Sequence, residues 1–336
     1  DRHLLYRGLG GHRPGFAHAL TVLEAARTGR PYPVRAMIVA GGNPLVTMPD
    51  PQRVEEALRS LDLLVVADLF MTETAQLAHV VLPVCSFLER PGLCTNYRVM
   101  HGEPYVAFRQ RVVDPVGESR PDWWIWCELA RRIGLGELFP WRSLEEAAAW
   151  VLEPSGISLQ DLSIKSPWGL FYAQRFRPRE YEAFKGFPTP SRKVELYSEQ
   201  LAKEGVEPLP TPVDVEELQP SPDYPLLLIS GARHPFYTHS QFRWIEAFKS
   251  RAPGPFAELH PEVLREAGVE DGGEVRVATR YGSAVFEAKA SSKLRRDVVS
   301  VSHGWPGVNK LFSYEPVDSA TGYPAFKAVP CRVEPA

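Results

Sequence analysis

Short apolar runs that stop at glycine, aspartate or proline, with helix-patterned segments between them, constrain this chain more than any other feature. Residues 34–40 (VRAMIVA) end in Gly41-Gly42-Asn43-Pro44. Residues 51–61 then place Val54, Leu58 and Leu61 at helical spacing, with proline in the first turn. Residues 63–67 form a second run, closed by Asp68. A short helical stretch over 73–78 follows, then a third run over 79–82, stopped by Pro83. Strands and helices alternating at this pitch predict a parallel α/β sheet. Residues 121–133 add an amphipathic helix, with Gly134 as its stop.

The pattern changes after a proline-rich stretch. The chain holds 32 prolines, and many fall between Pro178 and Pro225, where they favour extended connection over helix or central strand. Beyond them, strands are expected at 226–230, 256–260, 274–278, 283–288, 298–302 and 326–333, with helices at 241–248 and 261–267. Tyr281-Gly282 joins two of the strands as a hairpin. A compact β-rich barrel suits this half better than a doubly wound sheet. The expected organisation is an α/β domain over 1–177, a linker over 178–224 and a barrel over 225–336. A length of 336 residues accommodates two such domains.

Composition removes several function classes. A net charge of −3 argues against a nucleic-acid partner. No apolar run reaches the roughly 18–20 residues that a membrane-spanning helix needs. Cys85, Cys94, Cys127 and Cys331 form no C-x-x-C pair and no iron–sulfur or zinc spacing. Metalloprotease, serine-hydrolase and phosphate-loop signatures are absent, and Gly41-Gly42-Asn43-Pro44 is not a G-x-G-x-x-G fingerprint. Asp1 opens the chain without methionine and without a charged-then-apolar leader.

What remains is polar sequence at strand ends. In open α/β sheets, ligands bind beyond the carboxyl ends of strands. Gly41 and Gly42 let backbone N–H groups approach a phosphate, and the helix start beyond them adds partial positive charge. An ordinary tight turn would have the same sequence. Asp68 could accept the paired donors of a guanine edge, while Thr72-Glu73 serves equally well as a helix cap. Gly231-Ala232-Arg233-His234 and His239-Ser240-Gln241 follow another strand, where Arg and His could clamp a pyrophosphate. Isolated histidines, these and His303 included, are more often structural than ligating.

The ordered series Ala40–Pro44, residues 63–74 (LLVVADLFMTET), residues 79–83 (HVVLP), Glu89, Gly92, Thr95 and Asn96 resembles the third domain of the molybdopterin oxidoreductases of the dimethyl sulfoxide reductase family. Residues 189–197 (TPSRKVELY) are similar to that family's T-P-S-G-K segment, with Arg192 replacing the usual glycine. Residues 226–333 resemble its molybdopterin-dinucleotide-binding barrel, a double-psi-like barrel. Glu258-Leu259-His260-Pro261, Gly268–Gly272, His303-Gly304-Trp305, Asn309 and Lys327 are the clearest marks.

The resemblance implies bis(molybdopterin guanine dinucleotide), bis-MGD, holding molybdenum or tungsten. By position, Gly42, Asn43 and Pro44 would lie along one guanosine, Asp68 would read its base, and Thr72 and Thr74 would sit near the same arm. Gly231, Arg233, His239, Ser240, Asn309 and Lys327 would contact a dinucleotide from the barrel.

The family's Cys-rich [4Fe-4S] segment and its axial metal ligand have no counterpart in these residues. The chain is therefore expected to be the carboxyl-terminal portion of an enzyme, inactive alone, with an apolar surface for the rest of the protein. An iron–sulfur electron-transfer subunit is a further expected partner. The alternatives are a non-catalytic homologue serving as a structural or electron-relay subunit, and, less favoured, a stand-alone nucleotide-binding module. Residues 236–243 (FYTHSQFR) lean towards the thiosulfate, polysulfide and arsenate reductase or acetylene hydratase branch. A cytoplasmic setting is favoured over a periplasmic one, and neither the substrate nor the choice of metal follows from these residues.

Overall fold

The computed structural model describes residues 17–96, 105–165, 170–171, 186–187, 189–203, 205–209, 218–232, 235–318 and 322–336. In chain order the elements are α1 (Ala19–Thr28), β1 (Ala36–Ala40), α2 (Pro44–Thr47), α3 (Pro51–Arg59), β2 (Leu63–Asp68), β3 (Val80–Pro83), β4 (Gly92–Asn96) and β5 (Tyr105–Arg109). There follow α4 (Asp122–Arg132), α5 (Leu144–Leu152), β6 (Leu170–Phe171), α6 (Glu199–Lys203), β7 (Leu226–Ala232), α7 (Glu246–Lys249), β8 (Phe256–Leu259) and α8 (Pro261–Glu266). The last four strands are β9 (Glu274–Thr279), β10 (Ser283–Ala290), β11 (Val298–Ser302) and β12 (Lys327–Pro335). Parallel-sheet α/β sequence thus precedes a β-rich barrel, the architecture that the alternation predicts.

Two compact units divide the described residues. One draws on Asp1–Val66, Phe70–Val80 and Leu196–Ala336; the other on Ala67–Leu69 and Val81–Glu195. Much of the expected linker, and the strand-end residues Arg233 and His234, lie outside the described residues.

In the first unit the strands β7 to β12 close into a barrel in the order β10-β8-β11-β7-β12-β9. Alternation drives this closure. Val275 and Val277 of β9, Phe286 and Ala288 of β10 and Val299 and Val301 of β11 turn inward and are essentially fully buried; in β10 the intervening Val285, Glu287 and Lys289 face out, whereas Ser300 and Ser302 of β11 are buried as well. Closure leaves no open sheet edge. The expected hairpin is present, with Ser283 opposite Ala278 and Glu287 opposite Glu274.

Strands β1, β2 and β3 are adjacent in one sheet in that order. Helix α3 buries Val54, Ala57 and Leu58, the face that the spacing predicts. Asp50 caps it by accepting from Arg53 N at 3.2 Å. Helix α1, which the sequence reading passes over, is tied to α3 by Arg53 Nη2 donating to Glu24 at 2.7 Å and by Ser60 Oγ donating to Ala26 O.

The second unit contains a small antiparallel sheet in the order β4-β5-β6, another feature that the alternation does not reveal. Val106, Phe108, Ala148, Leu152 and Leu162 form its core. Helix α5 starts with a reciprocal cap: Glu146 N donates to Ser143 Oγ, and Glu146 Oε2 accepts from Arg142 N.

One expected helix is corrected. Residues 241–248 are helical only from Glu246. Before it lie a Thr238–Gln241 bridge and turns in which His239 and Phe242 adopt φ of 52° and 69°. An apolar pattern compatible with a helix is overridden because Arg243 and Trp244 are drawn to partners distant in sequence.

Candidate functional site: the strand ends of the first unit

Asn43 follows β1 and is 6% exposed. Its side chain is fully engaged. Oδ1 accepts from Thr74 Oγ1 at 2.7 Å and from Thr74 N at 3.3 Å, and Nδ2 donates to Glu73 Oε2 at 2.9 Å. The Thr74 hydroxyl also accepts from Leu45 N at 3.2 Å. Thr72 Oγ1 accepts from Ala75 N and so caps the turn that follows. These bonds lock the loop after β1 to the segment 72–75. Backbone therefore faces the open side of the strand end: Gly41 has φ of +60° and no heavy atom within 4 Å of where a Cβ would stand. Pro44 occupies the first turn of α2.

Glu73 also accepts from Arg243 Nη2, at 2.8 Å to Oε1 and 3.0 Å to Oε2. Burial alone would raise its carboxyl, but the hydrogen bonds from Arg243 and Asn43 hold it below the usual range. The Arg243 guanidinium lies 5.4 Å from the Trp244 ring and 5.7 Å from the Trp305 ring, and Trp244 stacks on Phe70 at 6.4 Å.

The barrel contributes from one end. β7 and β11 run parallel, with Ser302 opposite Ala232, so Gly231 and the segment His303-Gly304-Trp305 emerge together. Lys327 opens β12 opposite Ile229 and is exposed. The His239 ring stands edge-on to His303 at 4.6 Å, and Ser240 is half-buried beside it in the same turn. Asn309, 1% exposed, donates through Nδ2 to Val46 O and Met48 O, both at 2.9 Å. Asp50 N in turn donates to Asn309 O. The turn 308–311 is thereby fastened to α2.

Asn43, Thr74 and Asn309, with the backbone beside Gly42, Pro44 and Thr72, accordingly belong to one hydrogen-bonded neighbourhood of the first unit, whereas His239 is placed by its ring contact with His303. Asp68 closes β2 and is counted with the second unit. Arg233 is outside the described residues. Sequence reasoning passed over Glu73 as part of a cap and over Arg243 as part of a helix. The pair is 170 residues apart, and no local pattern signals such a bond.

The fit to a nucleotide rests on this geometry. Open backbone at Gly41 suits the approach of a phosphate. Two buried polar atoms, Asn309 Oδ1 and Arg243 Nε, have no hydrogen-bond partner among the described residues, an arrangement that water or ligand atoms ordinarily satisfy.

Two family models match the chain: "Molybdopterin oxidoreductase" over residues 10–132 and "Molydopterin dinucleotide binding domain" over residues 226–330. This chain belongs to the molybdopterin oxidoreductase family. The acetylene hydratase of Syntrophotalea acetylenica is 32% identical over 86% of this chain and 39% of its own length. The assimilatory nitrate reductase catalytic subunit of Bacillus subtilis is 31% identical over 90% of this chain and 42% of its own length. The thiosulfate reductase molybdopterin-containing subunit PhsA of Salmonella typhimurium is 27% identical over 85% and 40%. A solved structure of acetylene hydratase from Pelobacter acetylenicus superposes with a TM-score of 0.84 at 28% identity, covering 96% of this chain and 47% of that one. The chain thus spans about two-fifths of the length of the curated relatives it matches. Among the described residues no helix is long and apolar enough to cross a membrane.

Proposed function

We propose that the full-length protein is a molybdenum- or tungsten-dependent oxidoreductase carrying bis-MGD, and that this chain is the part that grips the nucleotide arms. The observation that carries the reading is the neighbourhood of Asn43, Thr74, Glu73 and Arg243, built at strand ends in a chain of this family. The cofactor supplies a thiolate-ligated metal able to change oxidation state. The chain's own residues bind and orient. Gly41, Gly42 and Pro44 present backbone to one guanosine arm, Asn43 and Thr74 hold that loop in place, and Asp68 reads the base. Gly231, Arg233, His239, Ser240 and Lys327 receive a dinucleotide at the barrel end.

Electrons would pass through a [4Fe-4S] cluster held by the remainder of the protein, and a separate iron–sulfur subunit is a candidate partner. Exposed Phe70, Met71 and Trp244 support the view that further chain covers this face. Among substrate classes, sulfur oxyanions and acetylene hydration gain support from the named relatives. Nitrate reduction gains as much. A cytoplasmic location is retained as the working assignment.

The test is acid release of guanosine monophosphate from protein expressed with its complete reading frame, together with metal analysis. Two molecules of nucleotide and one atom of molybdenum or tungsten per chain are expected. Neither nucleotide nor metal would leave the second reading, a structural or electron-relay homologue.

A further inference from the structure

We propose that Glu73 is the positioning residue of the nucleotide site: one carboxylate that sets the loop after β1 and the turn 238–244 in register with each other. The claim rests on the cofactor reading above, but its mechanics are in the side chains. Glu73 Oε2 accepts from Asn43 Nδ2 at 2.9 Å, and both of its oxygens accept from Arg243 Nη2. Asn43 spends its other amide atom on Thr74, so it has no donor or acceptor atom left without a protein partner. Its task is to hold Gly41 and Gly42, and Glu73 holds it.

On the other side, the Arg243 side chain is 12% exposed and lies near two tryptophan rings. Its anchoring fixes a turn in which two non-glycine residues, His239 and Phe242, take left-handed backbone. Such conformations persist only where surrounding contacts over-determine them. The Glu73–Arg243 pair is the charged contact that does so, and its side chains are mostly withdrawn from solvent, where screening is weak. The same turn carries His239 and Ser240. Loss of the carboxylate therefore loosens two nucleotide-facing segments at once, although Glu73 itself touches no nucleotide.

The experiment uses protein from the complete reading frame, as wild type and as Glu73→Ala, Glu73→Gln, Arg243→Lys, Arg243→Gln and Glu73→Ala/Arg243→Gln. Amide hydrogen exchange is read over 41–48 and 238–244, and released guanosine monophosphate is read per chain. Glu73→Ala is expected to speed exchange in both segments by about tenfold or more and to lower nucleotide occupancy. Arg243→Lys, which keeps the charge, is expected to restore most of the occupancy that Arg243→Gln loses. The double variant should be no worse than Glu73→Ala, because the two act through one bond.

Faster exchange in only one segment, or additive losses in the double variant, would overturn the proposal. Should Glu73→Ala not fold, Glu73→Gln and Arg243→Lys decide the matter by the same exchange readout. A wild type that releases no nucleotide would remove the cofactor reading alone, since the exchange comparison still decides whether Glu73 couples the two segments.

Discussion

Thr74 shows how a single hydroxyl can organise a strand end. It is fully buried, donates to Asn43 Oδ1 and accepts from Leu45 N. Thr74→Val keeps the shape but leaves the part-buried Leu45 amide and half of the Asn43 carbonyl unpaired. The expected cost is about 1–3 kcal/mol, seen as a lower denaturation midpoint, whereas Thr74→Ser should recover most of it. The thiols differ for an equally local reason. Burial pushes the Cys331 thiol up to about 12, so almost none of it is thiolate at neutral pH. Cys94 is half-buried, while Cys85 and Cys127 are buried. Alkylation of the native chain, mapped by mass spectrometry, should modify Cys331 last. Early labelling there would mean that the barrel core opens far more readily than its packing implies.

At the scale of elements, close approach decides what the barrel end tolerates. Gly304 has φ of +84°, and a Cβ there would stand 2.2 Å from the carbonyl carbon of His239. The neighbour is backbone and cannot swing aside. Gly304→Ala is therefore expected to destabilise by about 3 kcal/mol or more, with the turn 238–241 displaced. An unchanged melting temperature would show that this turn is not held against His303-Gly304-Trp305. Most elements were legible in the sequence, since periodicity and stop residues locate β1, β2, α3, α4 and every barrel strand. The segment 241–245 was not, because its apolar spacing is equally compatible with a helix and the partners that draw Arg243 and Trp244 away, Glu73 and Phe70, are distant in sequence. Strands β4 to β6 lie outside the strand–helix alternation: β4 and β5 pair antiparallel as neighbours in the chain, and β6 joins β5 from beyond α4 and α5.

Across the whole molecule, several carboxylates are held in their charged form. Burial would raise Glu73, yet its bonds from Arg243 and Asn43 leave it lowered. The hydrogen bond from Arg27 lowers Glu24, and bonds from Ser86 and Val116 lower Glu89. A group whose folded pKa lies below its unfolded value contributes stability above the unfolded value and loses it as the pH falls through the folded one. The urea midpoint should therefore be flat from pH 8 to about 5 on this account and fall below the ordinary glutamate value of 4.5. Because Glu73 and Glu24 belong to one unit and Glu89 to the other, both should weaken together. A midpoint that rose on acidification would contradict the charged-state bonding described here.

The sequence by itself determined the strand–helix alternation, the change to a β-rich half, and the ordered strand-end motifs that place the chain in its family. These are local patterns, written in the spacing of apolar residues and the chemistry of glycine, proline and aspartate. Tertiary structure alone decided that Asn43 and Thr74 bond to each other, that Asn309 fastens the barrel to α2, and that Glu73 meets Arg243. Hydrogen bonds between residues 30 to 261 positions apart depend on where folding brings the backbone, and periodicity carries no record of that.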